Sequence, residues 1–211
     1  MTDYERMEAG LLYDPGDDEI MAEQAPFQDK LWEFNQLKPT DYDKKEAYMK
    51  EVFAECGEGN YIELPFHANW GGHHVHFGSH IYANSNLTIV DDGHVYVGDC
   101  VMFGPNVTLA TPNHPINAEL RSRGYQYNKD IYIGDNAWIG SNVVVVPGVH
   151  IGKNAVIGAG SVVTKDVPDN VIAVGNPCKV LRPVGEHDDE YFYKDEKIDW
   201  ENLNKSKPSA H

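Results

Sequence analysis

The chain has 211 residues, 41% hydrophobic and 24% charged. That composition excludes wholesale disorder and supplies a sizeable core for one or two domains. With 33 Asp and Glu against 17 Lys and Arg, the formal net charge is -16, so no bulk basic face exists for nucleic acid or an anionic membrane. No apolar run is long enough for a membrane-spanning helix, and the charged residues 1–10 lack the apolar segment of a secretory signal. Three widely spaced cysteines, Cys56, Cys100 and Cys178, fit neither a disulfide framework nor a zinc site, which points to a reducing, cytoplasmic setting.

Residues 1–60 read as a small helical region packed against something larger. Glu, Asp, Lys and Ala are frequent there and Gly is sparse. A short helix fits residues 3–12, ending around Gly10, and a second fits Asp17 to Asn35. A third starts at Thr40 as N-cap, with Asp41 and Asp43 in its first turn, and stops at Gly57.

From Phe77 the texture changes. Ile133, Ile139, Val145, Ile151, Ile157 and Val163 recur every six residues, and Gly follows four of them, at Gly134, Gly140, Gly152 and Gly158. Chance would give such a register roughly once in several thousand trials at ordinary usage of these residues. Upstream, Phe77, Ala83 and Ile89 keep the step, as do Val97, Phe103 and Leu109, with two extra residues near Asp92-Gly93-His94. Between Leu109 and Ile133 the in-register residues Pro115, Arg121 and Tyr127 do not suit a core, so 110–131 reads as a loop leaving the repeat. Six residues allow a short strand and a corner, and three such units close a coil that stacks on the next as parallel strands. Helices do not fit inside that spacing. The expectation is a mainly β chain: a helical cap over 1–60, a parallel β-helix over 61–184 with the 110–131 excursion, and a charged tail over 185–211 whose end is disordered.

Three stretches carry a family resemblance. They are Tyr82-Ala83-Asn84 with the run from Asn86 to Asp92; Asn106 to Leu109 through Asn113-His114-Pro115; and Gly158 to Asp166 with Gly175 to Arg182. With the Met7 to Asp14 stretch, they resemble the hexapeptide-repeat sugar O-acetyltransferases: the galactoside and maltose enzymes and their nodulation-type relatives. The resemblance implies a left-handed β-helix, acetyl-CoA as co-substrate, a small sugar acceptor and a homotrimer with the site between neighbouring coils.

His114 falls on the family's general base, and an imidazole can take a proton from a sugar hydroxyl at neutral pH. Asn84 and Asp92 match acceptor-binding positions; Asp17, with Asp14 and Asp18 as competitors, and Asn69 match two more, and Tyr82 offers the sugar an apolar face. Carboxylates and amides suit polyols because each bonds two hydroxyls. Read without the family, Asn84 equally fits a left-handed corner residue and Asp92 a turn residue. On the donor side, Lys165, Lys179 and Arg182 fall where the family meets the nucleotide and its phosphates. Ser141, Ala159 and Thr164 match contacts to the pantetheine arm, and Trp138 packs on a neighbouring subunit or the coenzyme. The expected reaction is direct attack on the thioester, with a backbone N–H such as that of Ser141 stabilising the oxyanion.

Two other readings stay open on the sequence: an acetyltransferase for a drug or another small hydroxyl compound, and a non-catalytic binding protein on the same fold. A zinc carbonic anhydrase on this coil would need a His pair five apart, which the repeat region lacks despite its cluster of His73, His74, His76 and His80. No metal is expected.

Overall fold

The computed structural model describes residues 1–206; the end of the tail, expected to be disordered, lies outside them. Helices α1 (Asp3–Glu8), α2 (Asp18–Phe34) and α3 (Tyr42–Val52) come first. Helix α1 is closed by a reciprocal capping box between Thr2 and Glu5, and α2 by Asp17, which accepts from the Glu19 N–H. Helix α3 departs from expectation at both ends. Its N-cap is Asp41 rather than Thr40, and it ends at Val52 rather than near Gly57. The early stop has a physical reason: Glu55–Cys56 already pairs with His76 and Phe77 as the first strand of the coil.

The coil therefore begins one turn before Phe77. Cys56, Ile62 and Ala68 occupy the inward positions of this first turn, in register with Phe77, Ala83 and Ile89 of the next. The parallel strands form three sheets, the faces of a triangular prism of about six turns that fits the left-handed β-helix. The first face runs Glu55–Cys56, Val75–Phe77, Val95–Val97, Ile131–Ile133 and His150–Ile151. The second runs from Tyr61–Ile62 through Tyr82–Ala83, Met102–Phe103, Trp138–Ile139 and Val156–Ile157 to Val171–Val174, and is closed by the antiparallel Lys179–Pro183. The third stacks Phe66–Ala68, Leu87–Val90, Thr108–Ala110, Val144–Val145 and Val162–Val163.

Corner chemistry explains the period. At most corners the residue three after the inward position sits in the left-handed region, as at Asn86, Asn106, Asn136, Asn142, Asn154 and Asn170. Asparagine tolerates that conformation and adds a ladder, since Asn86 Nδ2 donates to Asn106 Oδ1 at 2.9 Å and Asn106 Nδ2 to Asn142 Oδ1 at 3.1 Å. The core is filled by the inward residues of all three faces. Phe34, Tyr48, Met49, Val52 and Phe53 of the helical region belong to the same apolar cluster, which covers the otherwise open first turn.

The insertions are what position the site. Two corners keep the six-residue step, but the corner from the third face to the first departs from it in the first three turns. It takes nine residues from Ala68 to Phe77, eight from Ile89 to Val97 and 24 from Leu109 to Ile133. Three successive insertions thus stack on one edge of the prism. The 110–131 excursion is ordered: Pro112–Asn113 pairs antiparallel with Tyr127–Asn128, and a helix, α4 (Ala118–Ser122), sits at its tip.

Candidate active site

The first insertion turns on Gly71 and Gly72, both at positive φ. A Cβ at Gly71 would lie 2.7 Å from the Phe27 carbonyl oxygen, so only glycine lets this turn pack under α2. Buried Asp91 of the second insertion ties the turn down, accepting from the Trp70 N–H at 2.8 Å and the Gly72 N–H at 2.9 Å. Complete burial pushes the Asp91 carboxyl up to about 7 despite these bonds.

Asp92 is the next residue. Asn69 Nδ2 donates to its Oδ2 at 2.8 Å and Gln126 Nε2 to its Oδ1 at 3.2 Å, while Asn128 Nδ2 donates to its backbone oxygen at 2.7 Å. Burial raises its pKa, and the two side-chain amides oppose that shift by bonding the charged form. Tyr13 completes the group. Its hydroxyl accepts from Gln126 Nε2 and donates to Asn128 Oδ1 at 3.3 Å. Burial pushes this phenol up to about 12, so it keeps the proton it donates.

His114 follows the first strand of the excursion. Its Nδ1 lies 2.8 Å from the Tyr125 carbonyl oxygen, an acceptor only. In the neutral ring Nδ1 therefore carries the hydrogen and Nε2 keeps its lone pair, the form a general base needs. The His114 N–H is in turn bonded by Asn113 Oδ1 at 2.9 Å. The ring is exposed on the prism edge that also carries Asn69 and Asp92, and further along that edge stand exposed Thr164 and Lys165.

The other expected site residues lie elsewhere on the prism. Tyr82 and Trp138 both point outward from the second face, each paired in register with Met102, and Trp138 is 51% exposed. The Tyr82 ring stacks on Tyr61. Asn84, Ser141 and Ala159 sit at the corner from the second face to the third. Asn84 is not the left-handed corner residue; Asn86 is, at φ 61°. Asn84 Oδ1 instead accepts from the Ser85 N–H. At this corner the backbones are close: a Cβ at Gly140 would lie 2.7 Å from the Ala159 nitrogen. Lys179 and Arg182 lie on the closing strand of the same face, and Arg182 pairs with both oxygens of Asp188. The width of the third face, roughly 15–20 Å, separates this group from Asp92 and His114.

Within one chain, then, Asn69 and Asp92 meet, while Tyr82 and Asn84 stand at a different corner. Asp17 serves as the N-cap of α2. Sequence reasoning missed Tyr13, Asp91, Tyr125, Gln126 and Asn128. No periodic signal marks them, because they lie in the insertions and in the cap, where strand alternation does not apply.

The histidine cluster has a structural explanation. His73 stacks on Phe27 of α2, whereas His76 stacks on Tyr96 and Tyr96 on Tyr132, with His150 tilted against Tyr132, a ladder of rings up the first face. Among the described residues, no group of three His, Cys, Asp or Glu is placed to hold a metal ion. No described helix is long and apolar enough to cross a membrane.

Comparison with known proteins agrees with this architecture. A family model described as the maltose acetyltransferase hexapeptide capping motif matches residues 6–57, and one for the bacterial transferase hexapeptide (six repeats) matches residues 130–165. The galactoside O-acetyltransferase of Lactococcus lactis is 49% identical over 94% of this chain and 96% of its own length. That of Escherichia coli is 45% identical over 92% and 96%. A galactoside acetyltransferase solved in complex with coenzyme A superposes with a TM-score of 0.90 at 45% identity, covering 94% of this chain and 99% of that one. A maltose O-acetyltransferase from Clostridium difficile 630 gives 0.85 at 39%, covering 88% and 99%. The chain belongs to the galactoside and maltose O-acetyltransferase family of hexapeptide-repeat proteins.

Proposed function

We propose that the chain transfers the acetyl group of acetyl-CoA to a hydroxyl of a small sugar, with His114 as general base. The observation that carries the reading is the His114–Tyr125 bond, which presents an unprotonated Nε2 beside an edge rich in carboxylate and amide groups. In this reading Asp17, Asn69, Tyr82, Asn84 and Asp92 bind the acceptor. As its hydroxyl attacks the thioester carbon, His114 Nε2 takes the proton, and the collapsing oxyanion expels the coenzyme A thiolate. The Ser141 N–H serves as the oxyanion donor. The CoA arm runs past Ser141, Ala159, Thr164 and Trp138 towards Lys165, Lys179 and Arg182, exposed cations in a chain of net charge -16.

The separation of Tyr82 and Asn84 from His114 supports a shared site. Two corners of one prism cannot close on a ligand, but the edge of one copy can meet the second face of another. We infer a homotrimer with three such clefts. The three unpaired cysteines support a cytoplasmic location.

Acetyl-CoA consumption measured against galactosides, glucose, maltose and antibiotics tests the activity. Turnover confined to antibiotics would replace the sugar reading, and none with any acceptor would leave a binding protein. Sedimentation tests the assembly: a fully active monomer would exclude the shared site.

A further inference from the structure

We propose that Gln126 is a positioning residue for the acceptor: its side-chain amide holds the Asp92 carboxylate in a fixed plane, while its backbone anchors the segment that carries the base's partner. The proposal rests on the reading of Asp92 as an acceptor ligand.

Both hydrogens of Gln126 Nε2 are used, one on Asp92 Oδ1 at 3.2 Å and one on the Tyr13 hydroxyl. That hydroxyl donates to Asn128 Oδ1, and Asn128 Nδ2 donates back to the Asp92 carbonyl. The four residues therefore form a closed ring of hydrogen bonds. Asn69 holds the other carboxylate oxygen from outside the ring. With one donor on each oxygen, rotation of the carboxylate is blocked, and each oxygen keeps a lone pair for a sugar hydroxyl. Tyr13 and Gln126 lie at 0% and 8% exposure, so water is a poor substitute for a lost bond.

The excursion does not need this side chain to stay folded. Tyr13 and Gln126 exchange two backbone bonds, Pro112–Asn113 pairs with Tyr127–Asn128, and the Lys129 N–H donates to the Thr111 carbonyl. Those main-chain bonds keep Tyr125, and through it His114, in place. The side chain acts on the acceptor carboxylate and the main chain on the base, so substitution separates the two.

Steady-state kinetics on the full chain, with the sugar turned over fastest in the screen above, test this. Gln126→Met keeps the length and removes the donor. It should raise the acceptor KM about tenfold or more, the loss expected for one hydrogen bond to a charged group. The kcat and the acetyl-CoA KM should stay within about twofold of wild type. Tyr13→Phe, which releases the far side of the amide, should act in the same direction and less. An unchanged acceptor KM in Gln126→Met, or a kcat that falls as far as KM rises, would overturn the proposal. If Gln126→Met does not fold, Tyr13→Phe decides: a raised acceptor KM supports the proposal and an unchanged one overturns it. Asp92→Asn separates the two levels of failure. If it leaves the acceptor KM unchanged, the acceptor reading falls and this proposal with it. If it raises KM while Gln126→Met does not, the proposal alone falls.

Discussion

Both oxygens of Asp188 accept from the Arg182 guanidinium, at 2.6 and 2.7 Å. The bidentate pair lowers the carboxyl pKa and raises that of the guanidinium. It also occupies the fork that a phosphate would use. As cations facing an anionic coenzyme, Lys165 and Arg182 should each still contribute, so Lys165→Ala and Arg182→Ala should weaken acetyl-CoA binding, with the difference from wild type shrinking at high salt. Asp188→Ala should do the opposite, freeing Arg182 and tightening coenzyme binding about two- to fivefold, the scale of an exposed ion pair. Calorimetric titration with coenzyme A at two salt concentrations measures both effects.

The base should behave differently. His114→Ala should lower kcat by roughly 10²–10⁴ with little change in coenzyme affinity, because the imidazole acts on the acceptor hydroxyl. Near-wild-type kcat with every accepted sugar would sink the mechanism whatever the fold.

The attachment of α1 should depend on pH. Glu8 lies 3.9 Å from His94 Nε2 and 3.7 Å from His74 Nε2, with His73 and Asp130 also close enough to act on the group. His94 is raised above 6.5, first by the neighbouring Glu8 carboxylate, and Glu8 is lowered below 4.5, first by the neighbouring His94 imidazole. Buried His74 is pushed down to about 4 and stays neutral. The His94 contribution is complete below pH 6.5 and fades as pH rises through its folded value. The Glu8 contribution is complete above 4.5 and fades as pH falls through its own. The contact is thus strongest between those limits. Hydrogen exchange of Asp3–Glu8, corrected for intrinsic rates, should show less protection at pH 8 than at pH 6, and Glu8→Gln should abolish the difference.

Asn106 tests the corner chemistry. Asn106→Gly loses only the ladder bonds to Asn86 and Asn142, whereas Asn106→Ala must also hold φ near 60°. Alanine should be the less stable of the two by about 1 kcal/mol, in denaturant melts at fixed protein concentration.

Much of this was legible in the sequence, for local reasons. The six-residue step from Ile133 to Val163 follows from strand alternation plus a left-handed corner, and both are properties of adjacent residues. The first turn was harder to read because Cys56 and Ala68 are weak core signals and Ala68 to Phe77 breaks the step. The end of α3 was misjudged because Gly57 looks like a helix stop. It is instead a coil residue, where a Cβ would lie 2.6 Å from the Gly78 carbonyl oxygen of the next turn.

By itself, the sequence determined the repeat, the helices at its open end and the excursion, and its family resemblance supplied the candidacy of His114 and Asp92. Tertiary structure decided that the three insertions share one edge. It also decided that Gln126 reaches back to Tyr13 and Asp92, and that Tyr82 and Asn84 stand a full face away from the base. The reason is that a strand's inward pattern is fixed by its own alternation, whereas the partner of a buried amide or carboxylate is fixed by which turns stack. Hydrophobic periodicity records where a corner is lengthened, but not which side chains of the inserted residues meet across turns.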